Sequence, residues 1–276
     1  MTAPFTMTLR AARKWAGKAR AFFLRDLRTD MSYRFTFLLE AANIFATLSA
    51  FFFLSKIMGA SIAGRYQPFP FLLLGMAMNG YLTTALYCFS QGVRGSQQVG
   101  VIKTVLGAPI SPLEFLVYSS LYPLCRAAFD AMIYILGGTL FGMSLARMNL
   151  SAALVIFVLS VAAYASIGIL SATFALIFKK GDPLIWLFGG LSWLLGGVFY
   201  PLEVLPGWMQ QAAHLLPISH ALKGMRAALL EGASIAQLGP EIASLAIFLA
   251  LTLPISLAVF YSGIRWSRTS GSLGHF

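Results

Sequence analysis

Gly196-Gly-Val-Phe-Tyr-Pro-Leu-Glu-Val-Leu-Pro-Gly-Trp208, continuing through Leu216-Pro-Ile-Ser219 and Lys223-Gly-Met-Arg226 to Gly232, is the stretch on which the reading of the chain turns. Residues 186–199 are apolar enough to sit in lipid. Pro201, Pro206 and Pro217 then each remove a backbone donor, so no single helix carries the chain over 196–232. Backbone that leaves helical geometry at membrane depth is tolerated only where protein or a water-filled path surrounds it, and these pieces are too apolar for a free loop. The expectation is a span that gives way to a re-entrant or interfacial helical cap over 201–239, on one membrane face.

Working outward, hydrophobic residues make up 58% of the 276 and charged residues 11%, which excludes an ordinary soluble domain. Apolar runs of about twenty residues recur between charged or Pro/Gly-marked breaks, each long enough as a helix for a hydrocarbon layer of roughly 30 Å. Alternating strands of the barrel type are absent from the sequence pattern. The net charge of +11 is assigned to orientation and anionic lipid rather than to nucleic acid. Cys88 and Cys125 lie in or beside apolar stretches without metal-type spacing and read as packing residues.

The fold class is therefore an all-α membrane protein, one transmembrane domain over 1–276. An amphipathic interfacial helix is expected over 8–30, where Trp15, Ala19, Phe22 and Phe23 share a face opposite much of the charge. Residues 1–34 hold Arg10, Arg13, Lys14, Lys18, Arg20, Arg25, Arg28 and Arg34, and these basic residues interrupt what a signal peptide would keep apolar. Six spans are expected at 35–58, 68–90, 124–145, 151–178, 184–200 and 241–263. Pro123 divides the long apolar stretch 113–146, and Gly138 with Gly142 offers a weak small-residue packing pair. With Arg94, Lys103, Lys179, Lys180, Arg265 and Arg268 on the same side as the basic N-terminal segment, both termini are placed in the cytoplasm and the protein in the inner membrane.

The order Gly197, Phe199, Pro201, Leu205-Pro206, Trp208, Pro217, Arg226 resembles the signature of the type-2 family of ABC export permeases. A second segment agrees with it. Within 91–112, Gly100-Val-Ile-Lys103-Thr-Val-Leu106-Gly-Ala-Pro109-Ile-Ser111 is similar to the family's cytoplasmic coupling segment, which docks on the ATPase. The resemblance nominates Gly100, Val101, Lys103, Val105, Leu106 and Pro109 as coupling residues. It departs from the pattern at Lys103, where the family usually has glutamate, and near Gln98, where an acidic residue is common. The resemblance implies a permease that exports a lipid, a lipid-linked glycan or polysaccharide, or an apolar drug. It further implies two copies of a separate ABC ATPase carrying ATP and Mg, a second permease copy as a homodimer, and membrane lipids around it.

Other candidates come from the residues themselves. No stretch fits the phosphate-cradling G-x-x-x-x-G-K-[ST] loop, so the chain is expected to bind no nucleotide by that means and no catalytic residue is nominated. Arg126 and Asp130, one turn apart in the third span, form an intramembrane ion pair, structural or ion-coupling. Lys223 and Arg226 share the polar side of a helix over 218–230, where they hold either an anionic part of the substrate or phospholipid headgroups. Trp193, Phe199, Tyr200 and Trp208 either line a translocation path or anchor the chain at the interface. His214 and His220 lack a third ligand, and no metal site is expected. A secondary transporter needs an inverted repeat that is not found, and a membrane-embedded enzyme needs a constellation that Glu40, Arg126 and Asp130 do not make.

Overall fold

A computed structural model describes residues 3–58, 66–98, 110–178 and 182–269. Among them all regular structure is helical: α1 (Ala3–Ser32), α2 (Arg34–Met58), α3 (Pro68–Gln98), α4 (Pro112–Leu140), α5 (Leu150–Phe178), α6 (Pro183–Leu195), α7 (Gly207–His214), α8 (Pro217–Arg226) and α9 (Gly239–Thr269). The coupling residues Gly100, Val101, Lys103, Val105, Leu106 and Pro109 lie outside the described residues, as do Arg65, Lys179 and Lys180.

Among the described residues four helices are long and apolar enough to cross a membrane, over Leu38–Ile57, Pro68–Ser96, Leu150–Ile177 and Gly239–Trp266. The other two expected spans differ from expectation. α4 does not divide at Pro123 but runs unbroken through it for 29 residues, carrying Arg126 and Asp130. A proline can persist inside a helix where the neighbouring packing holds the turn, and Phe115, Leu116 and Tyr118 just before it are buried. α6 stops at Leu195 after 13 residues, not at 200, and about 20 Å of helix falls short of the hydrocarbon layer.

α3 is the hub. It packs along α4 and α5 and touches α2, α6 and α8. Leu73, Leu74, Ala77, Met78, Leu82, Ala85 and Leu86 join Ile156 and Tyr164 of α5 and Ile218, Leu222 and Met225 of α8 in the main core. Toward its other end, Cys88, Phe89 and Val93 meet Phe115 and Leu116 of α4, Ala172 and Leu176 of α5 and Phe260 of α9. α2 is peripheral: Leu48 is its one buried apolar side chain among those described, while Phe35, Leu38, Phe45, Phe53 and Ile57 are exposed. The expected small-residue pair separates, because Gly138 faces Leu73 of α3 whereas Gly142 lies past the helix end with φ +93° in open space.

The apolar face of α1 meets protein. Trp15 packs edge-on to Tyr118 at 5.4 Å, Phe22 lies against Phe115 and Tyr118, and Phe23 against Tyr122. Residues 115, 118 and 122 share one face of α4, so two helical stripes interlock.

Close packing of α5 on α3 depends on Gly168, whose Cβ would sit 2.9 Å from the carbonyl oxygens of Ala85 and Leu86. Gly168→Val is expected to destabilise the fold by about 1–3 kcal/mol through overpacking. Gly80→Ala, where a Cβ meets open space, is expected to leave stability unchanged or slightly improved. Thermal midpoints in detergent by fluorescence-detected size exclusion check the contrast; equal midpoints for Gly168→Val and the unsubstituted chain would refute the packing argument.

Candidate functional site

The broken stretch begins where α6 ends. Gly197 takes φ +70°, a left-handed conformation that costs glycine little, and turns the chain out of the helix. A short 3-10 turn over Leu202–Val204 follows Pro201, and Pro206 precedes α7. The carbonyls of Gly197 and Val198 are thereby left without helical partners. Arg226 of α8 supplies them: Nη1 donates to Gly197 O at 2.8 Å, and Nη2 donates to Val198 O and to Phe71 O of α3, each at 3.0 Å. The guanidinium lies 3.5 Å over the Phe71 ring and is buried, 5% exposed. Room for it comes from Gly75, whose Cβ would stand 2.2 Å from Val198 O and 2.8 Å from Nη2.

Arg226 and Lys223 therefore do not share a polar face. Arg226 points inward and is unavailable to a headgroup or substrate anion. Lys223 is exposed and donates to the buried Glu241 of α9 at 2.8 Å. α8 itself passes into a π-helical turn over Ala227–Glu231 that ends at Gly232, φ +75°. The aromatic candidates also separate. Phe199 packs between Trp193, at 5.1 Å, and Phe51 of α2, and the Tyr200 hydroxyl donates to Leu194 O. Trp208 is 72% exposed and makes no ring contact with them among the described residues.

The second constellation is wider than the sequence disclosed. Arg126 binds Asp130 at 3.3 Å, as expected one turn on, but also Asp30 of α1 at 2.8 Å and Glu40 of α2. The Tyr122 hydroxyl donates to Asp30 as well. One cation thus ties the end of α1, the start of α2 and the middle of α4. A cavity of about 690 Å³ opens beside it, walled by Phe23, Leu27, Met31, Leu38 and Phe129. Asp30 and Glu40 lie 96 and 86 residues from Arg126, beyond the reach of any helical periodicity.

Just after residues 99–109 the chain is fastened. Ser111 caps α4: its hydroxyl accepts from Glu114 N at 3.1 Å, and its own N–H donates to the Glu114 carboxylate at 2.9 Å. Lys18 of α1 stands 3.8 Å from the same carboxylate. The Ser111 N–H and the nearby ammonium hold the Glu114 carboxyl below its ordinary range.

Helices long enough to cross a membrane surround a broken, arginine-locked segment, and the family model for ABC-2 type transporters matches residues 21–230. The chain belongs to the ABC-2 type transporter family. A search of the curated proteins finds no match. As an ABC-2 membrane domain the chain is a permease subunit of an ABC transporter, a multi-pass membrane protein of a family that works with an ATP-binding partner.

In this permease, Arg226→Met strands the buried carbonyls of Gly197 and Val198 at a cost of about 1–3 kcal/mol each, while Phe71 O keeps its partner within α3. A marked fall in thermal midpoint is expected, only partly restored by Arg226→Lys, whose single ammonium lacks the planar fork. Unchanged midpoints would show that the lock contributes nothing. Arg126→Gln leaves Asp30, Glu40 and Asp130 without their shared cation, so α1 is expected to loosen and tryptic cleavage near Arg28 in membrane vesicles to accelerate. Cleavage at the unsubstituted rate would remove the clasp role.

Proposed function

We propose that this permease is the membrane half of an ATP-driven exporter, moving a lipid, a lipid-linked glycan or polysaccharide, or an apolar drug outward. Two permeases, as a homodimer, enclose the path; two separate ATPase subunits bind ATP and Mg. The six expected spans belong to this reading, the fifth being made by α6 together with residues 196–200 beyond its end, with the broken stretch 201–239 as a cap on the outer face and both termini in the cytoplasm. So does placement in the inner membrane.

The observation that carries it is the connection of the coupling segment. Residues 99–109 join α3, the hub of the core, to α4, whose first turn is capped at Ser111 and tied by Glu114 to Lys18 of α1. A displacement delivered there by closure of an ATPase dimer reaches α1, α3 and α4 together. Val101, Val105 and Leu106 give the segment an apolar docking side, while Gly100, Lys103 and Pro109 complete the matched pattern. The missing carboxylates at Gln98 and Lys103 then shift partner recognition toward apolar contact.

The test is purification of the tagged chain from native membranes in mild detergent, with identification of co-purifying proteins and assay of vanadate-sensitive ATP hydrolysis. A P-loop ATPase is expected to accompany the chain. Alanine at Val101, Val105 and Leu106 together is expected to weaken the association about tenfold or more, equivalent to about 1.4 kcal/mol of docking energy. If no ATPase accompanies a monodisperse protein and none restores activity on co-expression, the exporter reading falls.

A further inference from the structure

A second cavity, of about 720 Å³, lies between α1, α3 and α4, away from Arg226 and the Arg126 cluster. Its size falls within the range of about 300–1,000 Å³ typical of ligand sites. Thr83, Thr84, Tyr87, Gln91 and Ser96 of α3 line it, with Ser119 of α4 opposite. Five uncharged hydrogen-bonding side chains in one wall are unusual for a helix that otherwise qualifies as a membrane span. Hydrocarbon offers such groups no partner, so they face water, protein or a polar ligand.

Their hydrogen-bond inventory narrows the choice. The Thr84 and Ser96 hydroxyls donate to helix carbonyls four residues back, at 3.1 and 2.9 Å, and Ser119 donates to Phe115 O at 2.8 Å. Each keeps accepting capacity toward the cavity. Among the described residues the side chains of Thr83, Tyr87 and Gln91 take no hydrogen-bond partner. The charged residues in the lining, Arg25 and Asp26, bind each other at 2.7 Å, leaving the cavity without net charge. Gly95 faces open space, with none of the described residues filling that part of the groove. Tyr87 and Phe115 add flat aromatic surface.

Unpaired amide and hydroxyl groups, aromatic faces and no free charge are what a sugar ring requires, since it presents fixed hydroxyls at its edge and C–H groups on its face. A cation or an anion finds no counter-charge here, and an apolar drug would bury Gln91 and Tyr87 unpaired. We infer that this cavity is a binding site for an uncharged polyhydroxylated moiety, the glycan part of a substrate, at the end of α3 nearest the coupling segment. The inference rests on the exporter reading and selects one of its substrate classes.

The experiment uses the permease in membrane vesicles with Cys88→Ala and Cys125→Ser as background and Thr84→Cys as reporter. Labelling by a water-soluble cationic methanethiosulfonate is compared with a control cysteine replacing exposed Phe45 of α2. The Thr84 position is expected to label about tenfold faster, since a thiolate forms readily only where water reaches. Millimolar maltoheptaose is expected to slow that labelling several-fold. Dodecyltrimethylammonium and tetraethylene glycol are not, and adding Gln91→Leu removes the protection by the sugar.

Labelling no faster than the control means that lipid or a second protomer fills the cavity and overturns the inference. So does protection by the cationic amphiphile or the glycol in place of the sugar, or sugar protection that survives Gln91→Leu. Ordinary surface expression and a normal size-exclusion profile of each variant exclude misfolding. If an ATPase co-purifies and couples while the sugar gives no protection, the substrate assignment alone fails. If no ATPase associates, the exporter reading fails whatever the labelling shows.

Discussion

Two carbonyl oxygens left without helical partners hold this fold in its particular form. Once Gly197 turns the chain out of α6, the carbonyls of Gly197 and Val198 sit against α3 beside Gly75, where a side chain of α8 reaches them. A buried guanidinium is an expensive guest, yet here it does what no apolar residue can, offering several donors in one plane to acceptors from two segments. α6 can be short, and the chain can pass through proline-rich pieces, because α8 returns Arg226 to close the gap. Gly75 on α3 completes the arrangement by omission, since any side chain there would occupy the space of Val198 O.

This lock also explains why part of the architecture was legible in the sequence and part was not. That 196–232 could not be one helix followed from three prolines, because proline removes a donor in any context. Where the freed carbonyls find donors is a tertiary question. Amphipathic periodicity put Arg226 with Lys223 on an exposed face, which is the usual fate of a cation at helical spacing. The orphaned acceptors overrode that rule. Pro123 shows the converse: the same local rule proposed a break in α4, and packing of Phe115, Leu116 and Tyr118 holds the helix through it.

Long-range charge was the least legible feature. The Arg126 to Asp130 spacing marks one turn of a helix and can be seen in the sequence, whereas Asp30 and Glu40 become partners only because the joint between α1 and α2 brings them to α4. The amphipathic face of α1 was read from Trp15, Ala19, Phe22 and Phe23, but periodicity cannot distinguish lipid from protein as the surface that covers it. The aromatic row of α4 decides for protein. The broken stretch was visible for another reason, since it rests on the order of glycine, proline and aromatic residues.

The two ends of α3 are held in different ways, and the contrast bears on how a displacement would travel. Near Pro68 its first turns are fixed by Arg226 through Phe71 O and by close approach at Gly75. Toward Gln98 one face of it borders an open cavity, with Gly95 facing empty space among the described residues, while Cys88, Phe89 and Val93 pack against α4, α5 and α9. A rigid helix locked at one end and bordered by open space on one face at the other responds to a push at that other end by tilting about the lock, into the space. On the exporter reading the push arrives at that end, through residues 99–109. The tilt would change the cavity beside Thr84 and Gln91 most and the Arg226 lock least. Discrete arrangements of a packed helix, rather than continuous deformation, are what couple two distant sites. Arg226 then contributes to transport by remaining still, the fixed point against which α3 and α4 can move.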